Sequence, residues 1–169
     1  MLSTIAWENI LKLFVSAFLG AAIGTEREFR NRSAGFRTHI LVSMGACLIM
    51  IISSDAFPDL DTDPTRIAAQ VVSGIGFLGA GSIMQNKNEI RGLTTAANIW
   101  VCGAIGLAVG AGMYSLAISA TIIVLLVLTI ISTAVKKFYK NFSDSIKLKK
   151  DEVSLTDSEI LVESDLDKK

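Results

Sequence analysis

Between residues 67 and 135 the chain carries only three charged side chains, Lys87, Glu89 and Arg91, all within five residues of one another. A helix at the surface of a water-soluble protein keeps a polar face, and runs so nearly free of charge leave none. A bilayer span needs roughly 20 predominantly apolar residues to cross about 30 Å of hydrocarbon, and the runs on either side of the charged turn meet that demand. Over the whole chain 51% of residues are hydrophobic and 19% charged. The expected fold class is therefore all-α, a polytopic membrane helix bundle.

Five transmembrane helices are expected, over residues 7–24, 38–54, 67–84, 94–112 and 114–135. Gly112, Met113 and Tyr114 separate the last two as a tight helical hairpin. Arg27, Arg30, Arg32 and Arg37 follow the first span, Lys87 and Arg91 the third, and Lys136, Lys137, Lys140, Lys147, Lys149 and Lys150 the fifth. The loop after the second span is instead acidic. The positive-inside rule then puts the N-terminus outside and the C-terminus in the cytoplasm. Trp7, Tyr114 and Tyr139 lie near span ends, as interfacial aromatics do, and Lys12 lies close enough to the outer end of its span to snorkel. Residues 1–137 form the expected transmembrane domain. Residues 138–169 form a charged cytoplasmic tail, expected to be disordered because it is too short and acidic to bury a core. Glu8 and the lack of a basic leader argue that the first apolar segment stays attached as a span.

The small residues suggest helix packing. Gly74, Gly76 and Gly79 match GxGxxG in form, but they sit inside an apolar span, without the strand–turn–helix context that dinucleotide binding needs. In lipid, small residues let helix backbones approach. Gly20 with Gly24 and Gly106 with Gly110 form GxxxG pairs, and Gly74, Gly76, Gly79 and Gly81 suggest a glycine-packed third helix. Cys47 and Cys102 lie in apolar runs with no CxxC partner and read as buried, inert thiols.

Polar groups at membrane depth are functional candidates by default. Gln70 and Ser73 continue a face from Arg66 in the third span, and Asn98 lies in the fourth, so a polar seam between those spans is expected. Thr94 and Thr95 stand where a threonine caps a helix, and the same N-terminus attracts an anion: a phosphate, or Glu26 or Glu28 of the first cytoplasmic loop. A surface ion pair of that loop with Arg91 or Arg37 is the modest form of this idea. Asp59, Asp61 and Asp63 imitate the opening of a calcium loop, but Pro64 falls where glycine is required. Asp63 is better read as a helix cap before a proline, leaving weak Mg²⁺ attraction as the only metal chemistry. No metal-ligand set is specified, and no cofactor is expected. His39, the single histidine, has no partner in sequence that marks it as a base, and reads as structural or interfacial. No HExxH, GxSxG or Walker A motif is present, so the chain is not expected to be an enzyme, nor to bind nucleic acid.

Four blocks in order, GTERE at 24–28, AGFRTH at 34–39, DPTRIAAQVVSGIGFLGAG at 63–81 and RGLTTAANIW at 91–100, resemble the MgtC/SapB family of bacterial inner-membrane proteins. The resemblance implies a multi-pass domain of about five spans in the bacterial plasma membrane. It implies roles in magnesium homeostasis and virulence-related survival in macrophages, and action on membrane partners such as the ATP synthase or another ion transporter. The family's charged motif residues map onto Glu26, Arg27, Arg37, Asp63, Arg66 and Arg91. Longer members carry an ACT-like cytoplasmic domain after the last span, which the segment after residue 135 is too short to supply. Two functions follow as expectations. One is a non-catalytic regulator, a homodimer in the bilayer. The other is an ion transport protein, a channel or transporter for Mg²⁺ or another cation, with its pathway between spans three and four.

Overall fold

The computed structural model describes residues 2–55, 63, 65–86 and 89–131. Within the unit Met1–Leu126 the order is α1 (Leu2–Phe29), α2 (Phe36–Asp55), α3 (Thr65–Ala80), β1 (Met84–Asn86), β2 (Glu89–Arg91), α4 (Leu93–Gly110) and α5 (Tyr114–Leu126). Of the second unit, Val127–Ile131 is described and forms a π-helical stretch. Asp59, Asp61, Pro64, Lys87, Tyr139 and the lysine-rich and acidic segments beyond residue 131 lie outside the described residues.

Among the described residues three helices, Trp7–Phe29, Phe36–Asp55 and Leu93–Gly110, are long and apolar enough to cross a membrane. The 16 residues of α3 rise about 24 Å, somewhat less than a bilayer core. The large apolar side chains also lie on the outside. Phe14, Phe18, Leu41, Phe77 and Ile122 are exposed, whereas Ser16, His39, Ser43 and Asn98 are buried alongside Ile23, Ile99 and Val109. So many exposed large apolar side chains over a mixed interior suit a lipid solvent.

The first two helices meet in a turn with a physical stop signal. Asn31 adopts φ 51°, the N–H of Arg32 bonds the carbonyl of Arg27, and that of Asn31 bonds Glu28. This Schellman arrangement ends α1. Helix α1 therefore runs past the expected limit of residue 24, and Glu26, Arg27 and Glu28 belong to its last turns, not to a loop. Gly112, at φ 78°, closes α4 in the same way through Met113 N–H to Ala108 and Gly112 N–H to Val109. This is the tight hairpin expected from Gly112, Met113 and Tyr114.

The third apolar run departs from the all-helical expectation. Helix α3 stops at Ala80, and residues 84–91 fold back as a two-stranded antiparallel hairpin pairing Met84 with Arg91, Gln85 with Ile90 and Asn86 with Glu89. Gly92, at φ 92°, joins this hairpin to α4 and stands in the N-cap position without a side-chain cap. A Cβ there would lie 2.0 Å from the carbonyl oxygen of Ser82, so only glycine admits the approach. Thr94 and Thr95 lie inside the first turn of α4 and do not cap it.

Helix α2 is held between α1 and α4 by their glycine pairs. A Cβ on Gly20 or Gly24 would meet the backbone of His39 or Phe36 at 2.6 and 2.7 Å. On Gly106 it would meet the Ser43 oxygen at 2.1 Å, and on Gly110 the Met50 Cβ at 2.6 Å and the Cys47 oxygen at 2.8 Å. Helix α3 packs more loosely, burying only Val71, Ile75 and Gly79. Gly79 faces the backbone of Ala96, and Ile75 fills the space over Gly103. Of the four glycines expected to pack the third helix, Gly79 meets a neighbouring backbone, with the Ala96 oxygen 3.1 Å from an added Cβ, whereas within the chain Gly74 and Gly76 face open space and Gly81 has only ordinary contacts within its own turn. The tightest glycine contacts with α2 belong to α1 and α4, because those helices sandwich it.

Gly106→Ala is expected to destabilise the bundle by about 1–3 kcal/mol through overpacking. Gly74→Ala should leave stability unchanged or slightly raised. Thermal unfolding of both variants in the same detergent compares them directly.

Candidate functional site

Most of the buried polar groups lie along one seam between α1, α2 and α4, in steps set by the helical repeat. Ser16 and Arg27 come from α1, His39 and Ser43 from α2, and Thr95, Asn98 and Cys102 from α4. Ser16 Oγ and Ser43 Oγ are 2.8 Å apart, and the Cys102 thiol donates to the carbonyl oxygen of His39 at 3.3 Å. His39 Nδ1 lies 2.8 Å from the carbonyl oxygen of Gly35, and Asn98 Nδ2 lies 3.1 Å from His39 Nε2. A carbonyl only accepts, so Nδ1 carries the proton. Nε2 then accepts from the Asn98 amide, which defines a neutral imidazole in one tautomer. His39 is fully buried and Asn98 is 5% exposed. From Ser16 to Arg27 the seam extends about 16 Å along α1.

Charge gathers at the end of the seam where α1 finishes and α4 starts. The Arg27 guanidinium, in a residue 3% exposed, donates to Thr95 Oγ1 at 3.3 Å. This cation sits beside the positive end of the α4 dipole, an arrangement that calls for a counter-charge. Glu26 provides it. Arg30 Nε is 2.5 Å from Glu26 Oε1, and Arg27 Nη1 is 3.9 Å from Oε2. The Glu26 side chain is only 9% exposed. Its two oxygens and Arg27 Nε are buried without a hydrogen bond of good geometry, so the pairing is by charge and leaves lone pairs free.

The remaining sequence candidates are distributed elsewhere. Glu28 Oε2 accepts from the Phe36 N–H at 3.0 Å and so caps the start of α2. Arg37 lines a small groove with Thr25, Glu28, Phe29 and Phe36. Arg91 pairs with Glu89 at 2.8 Å on the hairpin, not with the end of α1. Thr94 is exposed, in contrast to Thr95. Asp63 Oδ1 accepts from the N–H of Thr65 at 2.9 Å and its hydroxyl at 2.7 Å, capping the start of α3. Those two bonds hold the Asp63 carboxyl below its ordinary range. Arg66, Gln70 and Ser73 are exposed on α3.

The seam therefore lies one helix away from its expected position. Asn98 turns to His39 on α2, whereas Gln70 lines a groove between α2 and α3. Sequence reasoning missed His39, Ser16, Ser43 and Cys102 as members of the network. The available signal was the recurrence of small polar residues four apart, at Ser16 and Gly20 in α1 and at His39, Ser43 and Cys47 in α2. Among the described residues no group of three His, Cys, Asp or Glu side chains is placed to hold a metal ion.

A mostly helical chain with membrane-length apolar helices and a polar interior defines a helical membrane protein. Residues 13–137 match the model of the MgtC family, and the chain belongs to that family. It is 49% identical over 129 residues to YhiD of Escherichia coli K12, an alignment covering 73% of this chain and 60% of YhiD. It is 50% identical over 116 residues to protein MgtC of Salmonella typhimurium, covering 69% of this chain and 49% of that protein. A Synechocystis protein is 44% identical over 118 residues, covering 70% of this chain and 50% of the relative. The chain thus spans about half to three-fifths of the length of these relatives. No solved structure matches.

Asn98→Leu would leave His39 Nε2 buried without a donor and is expected to cost about 1–3 kcal/mol. Combining it with His39→Leu should recover part of that loss, because both partners are then apolar. A denaturation double-mutant cycle in detergent measures the coupling.

Proposed function

We propose that this protein is a non-catalytic regulator of Mg²⁺-linked ion homeostasis in the bacterial plasma membrane, acting by contact with membrane protein partners. The reading includes five spans, with the N-terminus outside and the C-terminus in the cytoplasm, and self-association as a homodimer. The observation that carries it is the closure of the interior seam. From Ser16 to Thr95 its side chains mostly bond one another, and α2 lies in backbone contact with both neighbours. Such an interior positions helices and leaves the outer faces to make contacts. Membership in the MgtC family and similarity to YhiD, provisionally named a magnesium transporter, support the link to magnesium. The arginines at 27, 30, 32 and 37 and at 91 support the orientation through the positive-inside rule.

A second reading, cation transport, is favoured by one observation. Glu26 keeps two buried carboxylate oxygens without hydrogen bonds, as a transient cation or proton ligand would. The two arginines paired with it, Arg27 and Arg30, oppose a resident cation there by simple repulsion.

Purified protein in liposomes loaded with a Mg²⁺ indicator is expected to give no flux above empty vesicles. A flux abolished by Glu26→Gln would favour transport. For topology, Asn31→Cys should be labelled by an impermeant maleimide only from the cytoplasmic side and Met113→Cys only from outside. The opposite pattern would reverse the orientation.

A further inference from the structure

Helix α3 carries a second pattern that its contacts within the chain do not use. Its buried side is Val71, Ile75 and Gly79. On another face Arg66, Gln70, Ser73, Phe77 and Ala80 recur at alternating spacings of four and three, Asp63 at the helix cap continues the spacing, and all six are exposed. Alternating spacings of three and four are the seam of a two-stranded helical pair. Among the described residues nothing hydrogen-bonds the Gln70 amide, and Arg66 makes no close ion pair, only a through-space attraction to Asp63 of its own chain. A polar side chain facing hydrocarbon is costly unless another helix satisfies it. Beside this face a groove of about 670 Å³ opens between α2 and α3, lined by Leu41, Gly45, Ile49, Gln70, Gly74 and Leu78. Gly45 and Gly74 have no neighbour within 4 Å of an added Cβ, so a backbone can come close.

We propose that this face of α3 is the contact between two copies of the chain, paired in parallel about a two-fold axis. The face is complementary to itself. In a parallel pair identical residues meet at equal depth, so Gln70 meets Gln70 of the partner subunit, and each amide both donates and accepts. Asp63 caps the helix, and its carbonyl accepts from the Arg66 N–H at 3.2 Å, so the two residues lie within one turn, a step that an arginine side chain spans to reach the other copy's carboxylate. Thr65 occupies Asp63 Oδ1 and leaves Oδ2 for that arginine. Ser73 and Ala80 are small where the helices come nearest. The inference rests on the reading of α3 as a membrane span and of the protein as a homodimer, and it names the surface.

The test uses the whole chain in lipid nanodiscs. Ser73→Cys is expected to form a disulfide-linked dimer on mild oxidation, whereas the parent, whose Cys47 and Cys102 are buried, and Ala104→Cys on the exposed face of α4 are not. Arg66→Asp and Asp63→Arg should each weaken self-association about tenfold, the scale of the two interhelical polar contacts that each variant homodimer loses. Mixed together, the two variants should pair preferentially with each other, because both ion pairs are restored in the heterodimer. Native mass spectrometry reports total dimer independently of the cysteines. A dimer that does not cross-link at Ser73→Cys, or charge variants that associate like the parent, overturns this surface and leaves the homodimer reading standing. The absence of any dimer overturns both. Cross-linking at Ser73→Cys supports the surface even if Asp63→Arg, having lost a helix cap, fails to fold.

Discussion

Helix α2 lies in backbone contact with two neighbours at once, and the rest of the bundle is arranged around that contact. In lipid the hydrophobic effect does not draw helices together, so association rests on dispersion at close range and on polar contacts between helices. Close range requires glycine, and the pairs Gly20/Gly24 and Gly106/Gly110 provide it on opposite sides of α2. Once the backbones touch, Ser16 reaches Ser43, Asn98 reaches His39 and Cys102 reaches the His39 carbonyl. Each such bond contributes only about 0.6 kcal/mol on average in a membrane. Their larger effect is on register, because sliding α2 by one residue would lose all three and drive a glycine face against side chains.

The charged end of the seam follows from the same geometry. Because α1 continues through Phe29, the Glu26 carboxylate and the Arg27 guanidinium are carried into the bundle beside the first turn of α4. A buried ion pair contributes little net stability, yet removing one partner leaves an expensive uncompensated charge. Glu26, Arg27 and Arg30 thus act as a unit. They tie the end of α1 to α4, and the Glu28 cap on Phe36 ties the same turn to α2.

Much of the fold was legible in the sequence because its strongest signals are local. Uncharged runs mark the helices, and Gly112 marks the α4–α5 turn. Asp63 before a helical run marks the cap of α3. The hairpin at residues 84–91 was not legible, since its six paired residues lack both the alternation and the turn dipeptide that announce one. The candidate site was half legible. Asn98 and Thr95 stand out as polar residues in an apolar run, but which helix they face depends on the rotation of α4 about its axis. That rotation is decided by Gly106 and Gly110 seeking α2. Of the third-span glycines, Gly79 meets the backbone of α4 and Gly74 and Gly76 meet no neighbour within the chain, for a related reason. Spacing shows that a backbone can be approached, and only the arrangement of neighbours shows what approaches it.

The contrast between α2 and α3 also bears on motion. Three helices locked by backbone contact behave as one rigid body, since any rotation of one requires the others to separate. Helix α3 touches that body along a single stripe, Val71, Ile75 and Gly79, and Gly92 links it to α4 through the hairpin. Its softest displacement is therefore a rocking about that stripe, which widens or narrows the groove beside α2 while His39 and Asn98 stay fixed. A tilt of this one helix would then pivot on Val71 and Ile75, which pack with Ala46 and Ile99 in the core, and would leave the hydrogen bond between His39 and Asn98 in place.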